Sequence, residues 1–253
     1  MSAPTLAEIC VGACADAFRG DGEILASPIG VIPTLGARLA AATFEPDLVY
    51  TDGDALALGA PISIGDDPVE KVVESWLPFG KMFDVVWSGR RHVMMGATQV
   101  DRHGNQNIAC IGPWARPKAQ LLGVRGAPGN TVNDPTSYWV PSHSRRVFVE
   151  AVDCVSGVGY DRAAAAGPSA SRYHELRRVV SNLGVFDFET DDHSMRIRSV
   201  HPGVTVDQVR DATGFPLAAP DPVPTTPAPT DDELAVLRDV LDPQDRRDAE
   251  LAS

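Results

Sequence analysis

The sequence predicts an α/β fold: an open, mostly parallel sheet flanked by helices. Short apolar runs typical of buried strands alternate along the chain with amphipathic segments typical of helices. Of the 253 residues, 43% are hydrophobic and 22% are charged, which is the balance of a soluble globular protein with a sizeable core. Parallel strands need crossover connections, so ligands are expected in loops at the carboxyl ends of the strands.

The N-terminal third shows helix and strand patterns in turn. Thr5 can cap a first helix, along which apolar residues recur at helical spacing. A short strand is expected at 23–26, a helix at 34–42 and a strand at 48–51. Residues 67–76 predict another helix, because an Asp-Pro pair opens the segment and proline is favoured in a first helical turn.

The middle of the chain is predicted to contain strands and polar turns. Strands are expected at 92–97 and 107–111, on either side of a polar turn. Residues 120–124 lead into a glycine-rich loop at 123–130, and 146–152 have the pattern of a buried strand.

Two strand candidates, 179–188 and 195–200, precede a short amphipathic helix at 206–212. Thr205 is placed to cap this helix, and the glycine two residues beyond its end is typical of a helix stop.

Composition changes after this helix. Residues 216–229 contain six prolines, which exclude a helix or a central strand, and a T-x-x-E capping box then opens a terminal helix. We therefore divide the chain into an α/β domain at 1–215, a Pro-rich C-terminal arm at 216–229, and a terminal helix with an acidic tail at 230–253. The arm either wraps a partner or dangles, and dangling is the commoner fate of such ends.

Charge and hydropathy narrow the classes of partner. The formal net charge of −12 repels phosphate backbones, so a nucleic acid is not an expected partner. The N-terminus lacks a basic segment, and Glu8 and Asp16 interrupt its apolar stretch, so no signal peptide is expected. Apolar runs stay well short of the roughly 20 residues that span a bilayer, so no membrane segment is expected.

The cysteines and histidines do not form a recognisable metal site. Cys10 and Cys14 stand four residues apart, one above the other on a helix face, which suits burial better than a disulfide. None of the six histidines pairs with a cysteine or carboxylate at convincing ligand spacing. We expect a metal-free protein of the reducing cytoplasm.

Four stretches are candidates for chemistry. LVYTDGDAL, residues 48–56, ends an apolar strand at an acidic turn, which is either an ordinary turn or the place where a reactive side chain is presented. GATQVDRHGNQN, residues 96–107, brings Gln99, Asp101, Asn105 and Asn107 close together, although a polar hairpin with glycine and asparagine in its turn explains the same residues.

The other two stretches contain glycines in loops and turns. GVRGAPGN, residues 123–130, has three glycines that allow backbone N–H groups to approach an oxyanion or a phosphate; a plain loop is the alternative. HPGVTVDQVRDATGFPL, residues 201–217, contains a tight turn and a capped helix without a nucleophile, and is therefore structural on physical grounds.

Taken in this order, these stretches resemble the β subunits of family I coenzyme A transferases. GATQVDRHGNQN is similar to their G-A-x-Q-V-D-x-x-G-N-x-N stretch, and HPGVTVDQVRDATGF to their H-P-G-V-T ending. VRGAPGNTVN stands where they carry a glycine-rich loop, and RRVFVEAVDCVSGVGY resembles the strand that follows. The resemblance spans about residues 5–217 and implies the fold of that family, with an α subunit of similar fold as partner, in an α2β2 assembly.

The acidic turn departs from the family pattern. The family has Ser-Glu-Asn-Gly at this strand end, and its glutamate carries coenzyme A as a thioester. Here Thr51 stands at the glutamate position, followed by Asp52 and Gly53. A threonine hydroxyl cannot form the acyl anhydride that coenzyme A transfer needs, and a one-residue shift turns the neighbouring carboxylate the other way.

A subset of this family shares the departure. The sequence resembles the β subunit of an actinobacterial heteromeric hydrolase that opens the last ring of a steroid-derived acyl-CoA, with the catalytic glutamate on the α subunit. The resemblance implies no cofactor other than coenzyme A within the substrate. The residues that it implies are Thr51, Asp52, Gln99 and Asp101 for catalysis, and for substrate binding Gly53, Asn105, Asn107, Arg125, Gly126, Gly129 and Asn130.

Two alternatives stay open on the sequence. One is a coenzyme A transferase in which Asp52 or Asp54 replaces the glutamate. The other is a catalytically silent subunit that only stabilises an active α chain; the polar groups of residues 96–107 weigh against it. For Asp101, Asn105 and Asn107, turn formation and a direct role are about equally expected.

Overall fold

The computed structural model describes residues 2–53, 55–65 and 71–251. Its helices are α1 (Leu6–Asp16), α2 (Val31–Thr43), α3 (Phe79–Val86), α4 (Ala127–Asn133), α5 (Tyr160–Ala166), α6 (Pro168–Ser171), α7 (Val206–Ala212), α8 (Asp231–Val236) with a π-helical turn at Leu237–Leu241, and α9 (Arg247–Leu251). Its strands are β1 (Leu25–Pro28), β2 (Tyr50–Thr51), β3 (Leu56–Leu58), β4 (Val73–Trp76), β5 (Arg91–Gly96), β6 (Gln99–Val100), β7 (Gln106–Asn107), β8 (Cys110–Ile111), β9 (Ala119–Gln120), β10 (Thr136–Val140), β11 (Leu176–Ser181), β12 (Gly184–Asp187) and β13 (Arg196–Val200).

A mixed, mostly parallel sheet with the order β1-β5-β10-β11-β12-β13 organises the fold. Within this sheet β1, β5, β10 and β11 run parallel, whereas β12 and β13 are added at one edge by antiparallel pairs. The region 179–188, which the sequence predicts as strand, is thus two antiparallel strands that meet at a tight turn. The α/β prediction is confirmed, with an antiparallel edge added.

The sheet separates two hydrophobic cores. One lies under α1, α2 and the C-terminal helices, and the other lies under α7 and residues 147–148. Successive strand residues feed opposite cores, as in the pairs Val93 and Met94, Tyr138 and Trp139, and Val179 and Val180. Burial on both faces explains why these strands are continuous apolar runs and do not alternate.

The predicted helix at 67–76 is wrong where the structure describes it. Residues Val73–Trp76 form β4, which pairs antiparallel with β3, and its four residues are all exposed. β-Branched residues at 72 and 73 favour this extended pairing over a helix. The Asp-Pro pair that suggested the helix lies outside the described residues, and the helix forms later, at α3, after Pro78.

Two other strand predictions need correction. Residues 146–152 do not form a strand. Phe148 makes a single backbone bridge to Val100, and its side chain is buried in the core. The strand predicted at 107–111 is split into β7 and β8. The cause is Asn107, whose side-chain oxygen accepts the backbone N–H of Ala109 at 2.9 Å and so interrupts the ladder.

Residues 216–229 are held against the domain, so the expected dangling end is wrong. Backbone bridges join Ala218 and Thr225 to the edge strand β13. The Thr226 hydroxyl lies 3.0 Å from Nδ1 of buried His201, the histidine of the H-P-G-V-T stretch. That stretch therefore fixes the chain that follows it, although the division at residue 215 stays a prediction.

The terminal helix is docked by a buried ion pair. Thr230 and Glu233 form the predicted capping box at the start of α8. Arg238 donates to both carboxylate oxygens of Glu8 in α1, at 2.6 and 2.8 Å, and Arg247 adds a third bond at 3.1 Å. None of the described helices is long and apolar enough to cross a membrane.

Candidate active site

A cleft of about 210 Å³ opens beside the acidic turn that ends β2. Its walls come from β1, from α2, from the turn after β2, and from α3. Val49 bridges to Leu25, which brings the turn alongside β1, the edge strand of the main sheet. The cleft therefore lies where the loop-rich β2–β4 region meets the main sheet.

The turn presents Thr51 to this cleft, and Gly53 lines it as well. The Gly53 N–H donates to the Thr51 hydroxyl at 3.2 Å. Gly53 has a φ of +94°, a left-handed backbone conformation that glycine adopts without strain. Thr51, at the glutamate position of the family, and Gly53 therefore both face the cleft.

Asp52 is turned away from the cleft and holds the turn together. One carboxylate oxygen accepts the Leu56 N–H at 3.2 Å, and the other pairs with Lys71 at 2.9 Å. Only 5% of its side chain is exposed. These contacts make Asp52 a turn residue; Asp54 lies outside the described residues.

Arg91, at the start of β5, is a buried cation in the wall of the cleft. Its Nε donates to the Ser27 hydroxyl at 2.8 Å and its Nη1 to the Asn130 side-chain oxygen at 2.7 Å. Burial lowers the pKa of Arg91, and the neighbouring carboxyl of Asp134 opposes that shift. Burial also raises the pKa of Asp134 to about 7, against the lowering effect of Arg91.

Arg38 of α2 is a second buried cation that lines the cleft. Its Nη1 donates to the carbonyl oxygens of Ile62 and Ser63 at 3.0 and 3.1 Å. Burial lowers the pKa of Arg38, opposed by Tyr50 and Asp52. In a chain of net charge −12, two buried guanidinium groups make this cleft a local site for anions.

Sequence reasoning missed Ser27, Arg38 and Arg91. The one available signal was an arginine at the start of a predicted buried strand, since arginine is rarely buried without a specific partner. Ser27 and Arg38 lie within ordinary strand and helix patterns, so nothing in the sequence distinguished them.

Asp101 and Asn105 form a closed turn in the β6–β7 hairpin. One Asp101 oxygen accepts the N–H groups of His103 and Asn105, at 3.1 and 3.0 Å, and the Asn105 amide donates to both Asp101 oxygens. Burial raises the pKa of Asp101 despite these bonds. The Asn105 amide also donates to Asp161, and its oxygen accepts the Gly159 N–H.

Gln99 and Asn107 pair across the same hairpin. The Asn107 amide donates to the Gln99 oxygen at 2.7 Å, and the Gln99 amide donates to Asp153 at 3.1 Å. Neither residue lines the cleft beside Thr51, and the same holds for Asp101 and Asn105. The contacts are those of the turn-forming alternative, and a direct role for the four residues stays a prediction.

The predicted glycine-rich loop at 123–130 becomes helical at Ala127, where α4 begins. Arg125 is exposed and has a left-handed φ of +51°, and Gly126 precedes the helix. The Asn130 N–H donates to the Gly126 carbonyl at 2.9 Å inside the helix, so this N–H is not available to a ligand. Gly129 packs against Val86 of α3, where a Cβ atom would approach to 2.7 Å.

Asn130 is the residue of that stretch that reaches the cleft, through Arg91. Among the described residues, no group of three or more histidine, cysteine or acidic side chains is placed to hold a metal ion. Among the described residues, the cleft thus offers the hydroxyl groups of Thr51 and Ser27 and the guanidinium groups of Arg38 and Arg91.

No family model matches the chain. It is 56% identical over 248 residues to the cholesterol ring-cleaving hydrolase IpdB subunit of Rhodococcus jostii RHA1, covering 98% of this chain and 96% of that subunit. Identity to the same subunit of Mycobacterium tuberculosis is 53% over 249 residues, 98% of this chain and 99% of the other. One of the subunits of 3-oxoadipate CoA-transferase from Pseudomonas knackmussii is 31% identical over 253 residues, 94% of each chain.

Solved structures agree with these relatives. The crystal structure of Rhodococcus jostii RHA1 IpdAB matches with a TM-score of 0.94 and 54% identity over the whole of both chains. Glutaconate coenzyme A-transferase from Acidaminococcus fermentans shares the fold, with a TM-score of 0.81 and 20% identity over 96% of both chains. The chain belongs to the IpdB subunit family of cholesterol ring-cleaving hydrolases, which has the family I coenzyme A transferase fold.

Proposed function

We propose that this chain is the β subunit of a heteromeric hydrolase that opens the last ring of a steroid-derived cyclic keto-acyl-CoA. The observation that carries the proposal is the identity of 53–56% to cholesterol ring-cleaving hydrolase subunits over almost the whole chain. Thr51 at the glutamate position of the transferases supports it, because hydrolysis needs no enzyme-bound thioester on this subunit.

The reaction is a hydrolytic retro-Claisen cleavage. A carboxylate, the glutamate of the α subunit, takes a proton from water while the water oxygen adds to the ring ketone. The ring carbon–carbon bond then breaks, and its electron pair forms an enolate with the thioester carbonyl. Protonation of that carbon gives an acyl-CoA that carries a new carboxylate and is heavier by one water.

The cleft supplies charge stabilisation for these reaction steps. Negative charge develops first on the ketone oxygen and then on the enolate, and the buried guanidinium groups of Arg91 and Arg38 stand at the cleft wall. Ser27 and Asn130 fix Arg91 through two hydrogen bonds, so little reorganisation is needed when charge appears. Thr51 and the backbone of Gly53 form the neighbouring wall.

The residues of the 96–107 stretch act on this site through the fold. The hydrogen bonds of Gln99, Asp101, Asn105 and Asn107 keep the hairpin rigid, and a direct catalytic role for Gln99 and Asp101 stays a prediction. Arg125 and the exposed backbone at Gly126 stay candidates for the phosphates of coenzyme A. Asp52 keeps Thr51 in place through Lys71 and the Leu56 N–H.

A second candidate, a coenzyme A transferase, is favoured by the 31% identity to the 3-oxoadipate CoA-transferase chain. It requires a carboxylate nucleophile in place of Thr51. Both carboxylate oxygens of Asp52 are already engaged, and the side chain is almost fully buried. This placement counts against Asp52 as the residue that carries coenzyme A.

The partner is an α subunit of similar fold, in an α2β2 assembly. The outer face of β4 and α3 supports a partner surface, because Val73, Trp76, Phe79 and Phe83 are large, apolar and exposed. Phe79 and Phe83 pack edge to face, with ring centroids 5.5 Å apart. Leu77 and Met82 of the same segment line the cleft, so a subunit on this face stands next to the reaction site.

The protein is active in the bacterial cytoplasm, a reducing compartment in which cysteines stay free. Cys10, Cys14 and Cys110 are buried and free, and Cys154 is free and partly buried. Burial raises the pKa of Cys10 to about 12, so this thiol is not prone to oxidation.

The test uses the chain co-purified with its α subunit. A cyclic keto-acyl-CoA of the steroid-ring type is added without an acceptor acid, and mass spectrometry follows the product. We expect a ring-opened acyl-CoA heavier by one water, or by two where ring hydration precedes cleavage. A second assay contains an added carboxylic acid. Movement of coenzyme A onto that acid, with no water-added product in either assay, would overturn the hydrolase in favour of the transferase.

Arg91→Ala provides the control for a silent subunit. If this chain only stabilises the α subunit, an Arg91→Ala heteromer that assembles normally retains full turnover. We expect it to lose most of its turnover, because the guanidinium group stabilises charge that develops during the reaction.

A further inference from the structure

A second cavity, of about 470 Å³, lies between α1, β13 and the Pro-rich arm at 216–229. Phe44 after α2 and Glu233 of α8 also contribute to its wall. The strand β1 borders the reaction cleft, whereas β13, which borders this cavity, is at the opposite edge of the main sheet. The volume falls in the range of roughly 300 to 1,000 Å³ that is typical of small-molecule sites, and the proposed reaction gives the cavity no role.

The arm pairs with β13 at two points and arches away from it between them. Backbone bridges join Ala218 to Arg196 and Thr225 to Val200, so an advance of seven residues along the arm matches an advance of four along the strand. The surplus residues of the arm cannot stay in register with the strand. Arg198 stands midway between the two bridges and therefore lies opposite the arched part of the arm.

Much of the wall of the cavity is apolar. The arm contributes four proline rings, and Ala13 of α1 and Val185 of β12 lie opposite them; the prolines are Pro220, Pro224, Pro227 and Pro229. Proline rings lose almost no conformational entropy when a ligand packs against them. The wall is thus already shaped for an apolar body, without a large cost of ordering.

Three arginines on one face of the sheet share two carboxylates beside this cavity. Both oxygens of buried Asp187 accept hydrogen bonds from Arg196, at 2.8 and 2.9 Å, and Glu189 accepts another at 2.9 Å. Arg178 and Arg198 approach these carboxylates at 3.5 to 3.8 Å, which is longer than a hydrogen bond. The group therefore carries one unit of positive charge in excess.

The acidic residues of the described lining do not neutralise this excess. Asp16 pairs with Arg19 at 2.8 Å, and Glu233 accepts a backbone N–H at 2.7 Å in the capping box of α8. Burial lowers the pKa of Arg178, and the charge of Arg198 lowers it further. The two guanidinium groups thus stand close enough to repel each other, and an anion between them relieves that repulsion.

We propose that this cavity binds a small organic acid with an apolar body and one carboxylate. The carboxylate pairs with Arg198 and Arg178, because a guanidinium group donates to both oxygens of a carboxylate in one plane. The apolar body packs against the prolines of the arm and Val185. A bound acid joins α1, β13 and the arm, and the site does not rest on the proposed reaction.

Isothermal titration calorimetry on the chain co-purified with its α subunit tests this site without turnover. The probe is adamantane-1-carboxylate, which combines a rigid apolar body with one carboxylate. We expect saturable binding of one probe per copy of this chain. Adamantane-1-carboxamide has the shape without the charge, and acetate has the charge without the apolar body. Each should bind at least roughly 10-fold more weakly than the acid.

Arg198→Gln removes the unsatisfied charge and should weaken binding of the acid roughly 10- to 100-fold, the loss of hydrogen bonds to a charged group. It should leave the affinity for the amide unchanged. Arg162→Gln is the matched control, because Arg162 is exposed and does not line the cavity, and it should bind the acid as the wild type does. The comparison of the three probes uses wild-type protein, so it stays decisive if a variant assembles poorly.

Absence of saturable binding, or equal affinity for the acid and the amide, would overturn the proposal. Unchanged affinity for the acid in Arg198→Gln would place the probe elsewhere and overturn it as well. The Arg91→Ala heteromer distinguishes the cavity from the reaction cleft, because Arg91 lines the cleft and not the cavity. It should bind the acid with wild-type affinity, and weaker binding there would place the probe in the cleft and reject the second site.

Discussion

At the scale of single residues, Arg91 shows how one position in the sequence provides a charged group for the cleft. It stands at the first position of a buried strand, donates to Ser27 and Asn130, and faces Asp134. A guanidinium group supplies its donors in a fixed planar fork, which an ammonium group cannot reproduce. The proposed charge stabilisation in the cleft therefore depends on the position of the guanidinium group as well as on its charge.

Arg91→Lys tests this dependence, with Arg90→Lys as the control because Arg90 is exposed. We expect kcat of the heteromer to fall roughly 10- to 100-fold in Arg91→Lys, the loss of one or two hydrogen bonds to a charged group. Arg90→Lys should retain wild-type kcat. Steady-state kinetics on variants with wild-type circular dichroism measures this, and an active Arg91→Lys enzyme would contradict the assigned role.

Alanine substitutions at Gly104 and Gly203 distinguish the cost of backbone strain from the cost of steric overlap. Both have a φ of +82°, but a Cβ atom at Gly104 would lie 2.3 Å from Leu176 and 2.8 Å from Phe188, whereas one at Gly203 meets nothing within 4 Å. Gly203→Ala should cost about 1 kcal/mol of unfolding free energy, from strain alone. Gly104→Ala should cost about 2 kcal/mol more, because the core must also shift.

Urea unfolding of the two glycine variants measures this difference. If both substitutions cost the same, then the core around Leu176 and Phe188 yields without penalty, and the hairpin turn is less constrained than its contacts indicate. A larger loss in Gly203→Ala than in Gly104→Ala would contradict the structure at this turn.

At the scale of secondary-structure elements, the available pairing partner decided the conformation of two segments that local sequence patterns did not predict correctly. Residues Val73–Trp76 follow a helix-opening signal but form a strand, because β3 offers an antiparallel partner. Residues 216–229 cannot join a sheet centrally, yet they lie on its edge, where proline needs no ladder donor. Both outcomes depend on segments that are distant in the sequence.

The ion pair between α1 and the C-terminal segment holds that end of the molecule. Glu8 is buried, and three donors from Arg238 and Arg247 reach its carboxylate. Burial by itself raises the pKa of Glu8, but the bonds from Arg238 and the Thr5 N–H and the charge of Arg247 bring it below its ordinary value. The stabilisation is present above the ordinary carboxyl pKa and is lost as pH falls through the lowered one.

Glu8→Gln should therefore cost about 3 kcal/mol at neutral pH, the scale of a broken buried pair. Asp16→Asn is the control, because the Asp16–Arg19 pair has a similar distance of 2.8 Å but is half exposed. It should cost less than about 1 kcal/mol. Chemical denaturation at pH 7.5 measures both, and equal losses would mean that burial of the Glu8 cluster adds nothing.

At the scale of the whole molecule, buried histidines set the response to acid. Buried His92, His143 and His201 and partly buried His174 all have a pKa below the ordinary value because burial disfavours the charged ring, and the pKa of His143 falls to about 3. At a pH near the ordinary histidine pKa, the unfolded chain therefore binds more protons than the folded chain. Stability is complete above about pH 6.5 and is lost as the pH falls below that value.

We expect the unfolding free energy to fall between pH 7.5 and pH 5 by up to about 1.4 kcal/mol per pH unit for each of these histidines. His143→Gln removes one of them, so its free energy of unfolding should depend less steeply on pH in the same interval. Urea denaturation at several pH values measures both slopes. A stability that is constant from pH 7.5 to pH 5 would contradict the neutral, buried state of these rings.

The exposed face of β4 and α3 makes a prediction about assembly. Phe79→Asp combined with Phe83→Asp places two charges on the proposed contact and should abolish co-purification with the α subunit, while the isolated chain keeps its fold. Val240→Asp is the control, because Val240 is also apolar and exposed but lies in the C-terminal segment. Size-exclusion chromatography with light scattering measures the complex; an intact heteromer in the double variant would place the α subunit elsewhere.

The sequence by itself determined the fold class, the capped helices α1, α7 and α8, and the family. These features are local: hydrophobic periodicity, capping residues and motif strings are all complete within short windows. The Thr51 turn was also evident locally, as a departure from the family pattern.

Only the tertiary structure decided which side chains share the cleft. Ser27, Arg91 and Asn130 come from three distant segments, and their chemistry exists only because parallel pairing brings β1 beside β5 and α4 packs over them. Conversely, Gln99 and Asp101 stand out in the sequence but are engaged within their own hairpin. A motif states which polar groups are present, whereas long-range pairing decides whether those groups bond to each other or face a ligand.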